Sequence, residues 1–493
     1  MKAIMIVGTT SHAGKSFLTA GFCRLLTKKG WHVTPFKGQN MALNAYVTAT
    51  GGEIGHAQAV QAWAAGTIPR VEMNPILLKP QGNMTSQVIL QGQAVGMTTA
   101  SEYYEKYFDR GWRAITESLA KLSMEYDLVV CEGAGSPAEI NLKHRDLTNM
   151  RVAKHLNAAT LLVVDIDRGG AFAHVVGTLA LLEPEEKALI KGIVINKFRG
   201  QKSLLDSGIT WLEEYTGIPV LGVLPYSEIP FSAEDSLSLL DRTSRPSRNS
   251  IDISILRLPR IANFTDFDAL SAEESVNIRY TSLYDSLGFP DAVILPGTKT
   301  TLADLAALQE SGMAEQLRNY HAAGGIIFGI CGGFQMLGRK ILDPDRRESD
   351  LTECEGLNLF PMTTVISPDK VTRQRQVISY YPREGLPVTG YEIHQGISRF
   401  DRETDGDYPS LFVEDSSLGR VTDSLSLWGC YLHGLFDNGP WRRAWLNHLA
   451  QRRGLPSLPT GIGNYREQRE VALDRIARLI EENLDLRPIL SGL

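Results

Sequence analysis

Short apolar runs alternate with stretches of helical spacing through the first half of the chain. The runs are Ala3–Val7, His32–Phe36, Asp127–Cys131, Thr160–Asp165, Gly192–Asn196 and Pro219–Leu224. Between them, Ser16–Lys28, Ala114–Met124 and Gly170–Leu182 repeat apolar residues at three- and four-residue intervals, the period of a helix with one buried face. Strands apolar on both faces, alternating with helices, predict a parallel sheet covered on both sides, and right-handed crossovers make it doubly wound. One segment breaks the pattern. Ser86–Leu90, the turn Gln91-Gly92-Gln93 and Ala94-Val95 predict a hairpin beside the sheet.

The polar stretch 241–250 has no apolar period and predicts a linker. Strands resume at Ile251–Leu258, Asp291–Leu295 and Gly325–Ile330, and a β-rich region runs to about Leu435, which predicts a second α/β domain. Ser367–Pro387, polar and rich in Arg and Pro, predicts a surface insertion. Trp441–Arg453 and Tyr465–Glu482 predict two helices packed on the second domain. The expected division is therefore 1–240, a linker at 241–250, 251–440, and C-terminal helices within 441–493.

Composition narrows the class. With 43% apolar and 22% charged residues, the 493-residue chain is neither disordered nor fibrous. The 50 basic and 56 acidic residues give a net charge of −6, which argues against nucleic acid as a partner. The five cysteines, Cys23, Cys131, Cys331, Cys354 and Cys430, include no CxxC pair, so neither a disulfide framework nor a zinc knuckle is expected. The opening residues lack a secretory h-region, and no apolar stretch reaches the roughly 18 residues of a membrane span. The expectation is a cytoplasmic protein with no membrane partner.

Two constellations carry chemistry. Gly8-Thr9-Thr10-Ser11-His12-Ala13-Gly14-Lys15-Ser16 follows a strand and opens a helix, the context of a phosphate-binding loop. Its backbone N–H groups and the helix N-terminus face phosphate oxygens, Lys15 adds a charge at the β- and γ-phosphates, and the Ser16 hydroxyl suits Mg²⁺. Thr9 stands where the motif has its first glycine. ATP and Mg²⁺ are the expected cofactors, with Gly14, Lys15 and Ser16 in the loop. Glu132, ending Asp127–Glu132 before Gly133-Ala134-Gly135, is a second candidate metal ligand. Glu53, in Gly51-Gly52-Glu53-Ile54-Gly55, is a third, with helix capping as the competing role. Asn196 ends a strand where its amide could meet a purine edge, or simply close a turn.

The second constellation is Gly329-Ile330-Cys331-Gly332-Gly333-Phe334-Gln335, an apolar strand, a G-x-C-G-G turn and a helix. This is a nucleophile elbow with cysteine in the nucleophile position. Thiolate is favoured at a helix N-terminus, whereas the other four cysteines read as buried structural residues. The Gly332 N–H and the backbone around Gly297, in Leu295-Pro296-Gly297-Thr298-Lys299, are the candidate oxyanion donors. His433, after the strand Ser424–Cys430, is the favoured base, and His394 competes with it.

The cysteine elbow, with Pro296-Gly297 upstream and His433 downstream, resembles a class I glutamine amidotransferase domain of flavodoxin-like fold, which releases ammonia from glutamine through a cysteinyl thioester. The usual glutamate two residues after the histidine is Leu435 here. The N-terminal half is similar to the dethiobiotin-synthetase-like P-loop amidoligases. Over Pro35–Asn44, Gly52–Gln58, Met73–Pro80, Glu132–Leu142, Asp165–Gly170 and Gly390–His394 the chain resembles the corrinoid amidoligase family that makes cobyric acid. The resemblance implies amidation of the b, d, e and g carboxylates of adenosyl-cobyrinic acid a,c-diamide, through acyl phosphates and ammonia from glutamine. It implies a corrinoid and glutamine as small-molecule partners. Lys37, with Gln39 and Asn40, is expected beside the transferring phosphate or the substrate carboxylate, or alternatively capping the second strand. Two alternatives stay open: a synthase acting on the a and c carboxylates, and a non-catalytic P-loop switch with a degenerate amidotransferase domain.

Overall fold

The computed structural model describes residues 1–82, 84–231, 250–401 and 407–491. Apart from Ser250, the expected linker at 241–250 lies outside the described residues. The apolar runs of the first half form a six-stranded parallel sheet in the order Val220–Pro225, Ile190–Phe198, Ala159–Asp165, Lys2–Gly8, Leu128–Glu132 and Val33–Phe36. Both faces are buried, as the unbroken apolar character of the strands demands. Strand order reverses at Lys2–Gly8, and a crevice opens outside the carboxyl ends at such a point.

The predicted hairpin forms as Thr85–Leu90 and Gln93–Thr99, joined to Ile76–Gly82 and Gln39–Met41 in a separate four-stranded sheet. The helix expected at 114–124 is the second half of a longer one, Ala100–Ser123, which starts at a capping box between Thr99 and Glu102.

In the second half, the order is Val276–Ser282, Ile251–Arg257, Ala292–Leu295, Ile327–Ile330, Leu427–Cys430 and Gly419–Val421, parallel except for the last pair. Phe328 on this sheet packs against Phe436, Trp441 and Trp445, so the helix Gly439–Arg453 docks here.

Two expectations are corrected. The helix Tyr465–Asn483 packs mainly on the first half, and only its beginning, at Tyr465 and Arg469, touches the second. Gly21 of the P-loop helix Lys15–Lys28 is the reason: a Cβ there would sit 2.3 Å from Ile480 Cδ1 and 2.7 Å from Ile476 Cγ2, so glycine lets the two helices meet closely. Arg24 and Lys28 pair with Glu470 and Asp474 along the same seam. The stretch 367–387 is not a surface appendage. Most of it belongs to two long antiparallel strands, Met362–Ile378 and Pro387–Phe400, largely polar and exposed, from which side chains reach the first half. There the Gln374 amide reaches Val47 O and Lys370 reaches Glu53. Among the described residues no helix is long and apolar enough to cross a membrane.

Candidate active site

Four neighbouring parallel strands of the second sheet each deliver one group from their carboxyl ends. The segment after Ile251–Arg257 brings Asp266, Ala292–Leu295 leads to Gly297, Ile327–Ile330 leads to Cys331, and Leu427–Cys430 leads to His433. Cys331 has φ 51° and ψ −109°, a conformation costly for a side chain bearing Cβ and sustained by the elbow. Its N–H donates to Cys430 O at 2.8 Å, tying the elbow to the strand that carries His433. Gly297 sits where a Cβ would lie 3.1 Å from His433 Cε1 and 3.8 Å from Cys331 Cβ, so any side chain there would crowd the His433 ring.

His433 Nδ1 bonds Asp266 Oδ2 at 2.7 Å, and the Gly434 N–H donates to Asp266 Oδ1 at 2.9 Å. All three site side chains are buried. Burial opposes a charged ring, but the Asp266 carboxylate, followed by a hydrogen bond to Cys331, holds the His433 pKa up at about 10. The orienting acid is therefore Asp266, from the other end of the domain, while Leu435 is packed in the core. Sequence reading missed Asp266 because 167 residues separate it from His433. The available signal was the polar Asn263-Phe264-Thr265-Asp266 stretch following the strand Ile251–Arg257. Glu392 and His394 bond each other instead: His394 Nε2 lies 3.2 Å from Glu392 Oε2, and its ring stacks on Tyr431. Lys299, Gln335 and Glu348 share the Cys331 cavity with Lys79 and Lys370.

At the P-loop, Gly14 has φ 103° and caps the helix Lys15–Lys28. Lys15 Nζ donates to Thr10 O at 3.0 Å and Gly135 O at 2.9 Å, so the lysine lies over the loop beside the glycines that follow Glu132. Three donors converge on Glu132: Ser16 Oγ at 2.8 Å, Lys37 Nζ at 2.9 Å and Gln61 Nε2 at 2.5 Å. Ser16 and Glu132 are thus adjacent hard oxygen donors at a phosphate loop, a set that fits Mg²⁺. Lys37 is at the site, while Gln39 accepts from Tyr103 and the Asn40 amide donates to Gln58.

Two site expectations fail here. Glu53 does not join Ser16 and Glu132, nor does it cap a helix. It lies in a short strand between Lys79, at 3.0 Å, and Lys370. Burial works to raise its pKa, but these two ammonium groups hold it down at about 2. Asn196 is not presented to a purine: its amide donates to Ala13 O at 2.9 Å and its oxygen accepts the Lys197 N–H at 2.9 Å, which braces the P-loop from a buried position.

The fold and the two sites define a class: a P-loop nucleotide-binding module joined to a cysteine-dependent glutamine amidotransferase module. The model of the CobQ/CobB/MinD/ParA nucleotide binding domain matches residues 4–239, and that of the CobB/CobQ-like glutamine amidotransferase domain matches residues 252–441. The chain is 74% identical over 493 residues to the cobyric acid synthase of Microcystis aeruginosa, covering 100% of both chains. It is 70% identical over 492 residues to that of Rippkaea orientalis, covering 99% of both chains. Against that of Synechocystis sp. it is 68% identical over 493 residues, with 100% of this chain and 99% of the relative covered. The chain belongs to the cobyric acid synthase family.

Proposed function

We propose that this chain is an ATP- and glutamine-dependent ligase of cobalamin biosynthesis that amidates the b, d, e and g carboxylates of adenosyl-cobyrinic acid a,c-diamide to give adenosyl-cobyric acid. The observation that carries the reading is the complete Cys331–His433–Asp266 line in the same chain as an intact P-loop. It removes the argument for a degenerate amidotransferase, which stood on the leucine at 435. The names of the full-length relatives favour four carboxylates over the a and c pair.

The chemistry follows from the residues. A carboxylate is a poor electrophile, so it must first become an acyl phosphate. Lys15 and the loop N–H groups hold and neutralise the phosphates, which supplies most of the catalysis of phosphoryl transfer. Mg²⁺ bound by Ser16 and Glu132 would neutralise charge on the transferring phosphoryl group. Lys37 holds Glu132 in place and adds positive charge at the acceptor carboxylate. In the second half, Cys331 Sγ attacks the glutamine carboxamide, and the Gly297 and Gly332 N–H groups receive the oxyanion. Charged His433 donates its proton to the departing nitrogen, and water then releases glutamate from the thioester. Ammonia leaves unprotonated, attacks the acyl phosphate and expels inorganic phosphate, losing a proton as the amide forms. We place the reaction in the cytoplasm, which supplies ATP and glutamine.

Mass spectrometry of the corrinoid after incubation with ATP, Mg²⁺ and glutamine tests the reading. Four carboxylate-to-amide substitutions are expected. Cys331→Ser should form none with glutamine and all four with ammonium chloride. Product formed by Cys331→Ser from glutamine, or formed without ATP, would overturn it.

A further inference from the structure

Three lysines line the Cys331 cavity, and their circumstances differ. Lys79 and Lys370 are both paired with Glu53. Lys299 is 8% exposed, yet its Nζ has no hydrogen bond or ion pair among the described residues. A buried ammonium without a partner is costly, and a chain keeps one where a ligand supplies the missing anion. On the same lining, Glu348 accepts the Thr301 N–H at 2.7 Å and makes no ion pair with Lys299. One cavity wall thus presents a cation and an anion that are not satisfied by each other. Glutamine carries the complementary pair, an α-carboxylate and an α-ammonium, at the end of the molecule remote from the carboxamide that Cys331 attacks.

We propose that Lys299 receives the α-carboxylate of glutamine and Glu348 its α-ammonium, so that this pair selects glutamine from other carboxamides. The proposal rests on the glutaminase reading of the Cys331 site. Burial, and then the Lys370 ammonium, push the Lys299 pKa down to about 7, while Glu348 and Glu53 oppose this and Lys79 adds to it. A carboxylate arriving beside Lys299 reverses the shift. Because the folded pKa is depressed, the charged lysine costs stability below about pH 7, and removing it stabilises the protein there.

The test compares two amides in the full-length enzyme by ammonia release: glutamine, and 4-aminobutanamide, which is glutamine without its carboxylate. Lys299→Met is expected to raise KM for glutamine about 10- to 100-fold. It should leave the kinetics of 4-aminobutanamide and ammonium-driven amidation unchanged, and raise the melting temperature at pH 6. Lys299→Arg, which keeps the charge, should recover much of the preference for glutamine. Glu348→Gln should narrow the gap between glutamine and glutaramate, which lacks the amine. An unchanged KM for glutamine in Lys299→Met, or equal losses on both amides, would overturn the proposal. Wild-type enzyme that releases no ammonia from glutamine would instead overturn the glutaminase reading, and the proposal with it.

Discussion

Asp266 accepts from both the His433 ring and the Gly434 N–H, so one carboxylate fixes the tautomer and the orientation of the ring together. Asp266→Asn keeps the shape and loses the charge. Glutamine-dependent amidation is expected to fall roughly 10²- to 10⁴-fold, while ammonium-dependent amidation stays near wild type, as read from initial rates with each nitrogen source. A second consequence concerns pH. With the Lys299 pKa near 7 and only the ammonium able to hold a carboxylate, kcat/KM for glutamine should decline as pH rises above about 7. The groups facing Lys299 are Glu348, Glu53, Lys79 and Lys370. A pH–rate series on wild type and Lys299→Arg checks this, because the arginine should lose the descending limb. At this scale the two ends of the chemistry differ in legibility. Cys331, Lys15 and Ser16 announce themselves through their neighbours in sequence. Asp266 and Lys299 stand in unremarkable local contexts, and only their surroundings in space give them a role.

Elements show the same division. The strand–loop–helix around Gly14 and the elbow around Cys331 form as expected, because each is set by the backbone preferences of a few contiguous residues. Helical spacing likewise predicts Tyr465–Glu482, but spacing states only that one face is buried, not which surface buries it. That surface is the P-loop helix, where Leu473, Ile476, Ala477 and Ile480 join the core of the first half. Ile480→Ala should destabilise that half by about 2–5 kcal/mol. Denaturant unfolding followed by a nucleotide-binding signal should shift, while glutaminase activity at low denaturant is retained. The stretch 367–387 departs from its expected role as an insertion for a related reason. Polar side chains usually mark solvent, and most of these do face it, but Lys370 and Gln374 reach Glu53 and the Val47 carbonyl across the interface.

Across the whole molecule, the first half holds the loop that carries the acid of the second. Asn44 Oδ1 accepts the Phe264 N–H at 3.0 Å, and the Asn263 amide pairs with the Ala45 backbone at 3.2 and 3.3 Å. Both contacts lie two or three residues from Asp266. Asn44 in turn follows the Lys37–Met41 stretch that begins beside Glu132. Asn44→Ala leaves the buried Phe264 N–H unpaired, a loss of about 1–3 kcal/mol. Glutamine-dependent turnover should drop several-fold, with ammonium-dependent turnover changed less, although residue 44 lies outside the amidotransferase module. Equal losses with both nitrogen sources would mean that the contact is only structural.

The amino-acid sequence by itself determined two parallel α/β sheets, the phosphate loop with Lys15 and Ser16, the Glu132 strand end, the Cys331 elbow and His433. Each depends on side-chain periodicity or on turn geometry within a dozen residues, and such short-range forces do not await the rest of the fold. Only the tertiary structure decided that Asp266 orients His433, that Glu53 faces Lys79 and Lys370 instead of a metal, that Asn196 braces the loop, and that the last long helix crosses back to the first half. Those outcomes join residues hundreds of positions apart, 317 between Glu53 and Lys370 and 450 between Arg24 and Asp474. Which distant groups meet is set by strand order and by the burial of charge against charge, and neither leaves a trace in local spacing.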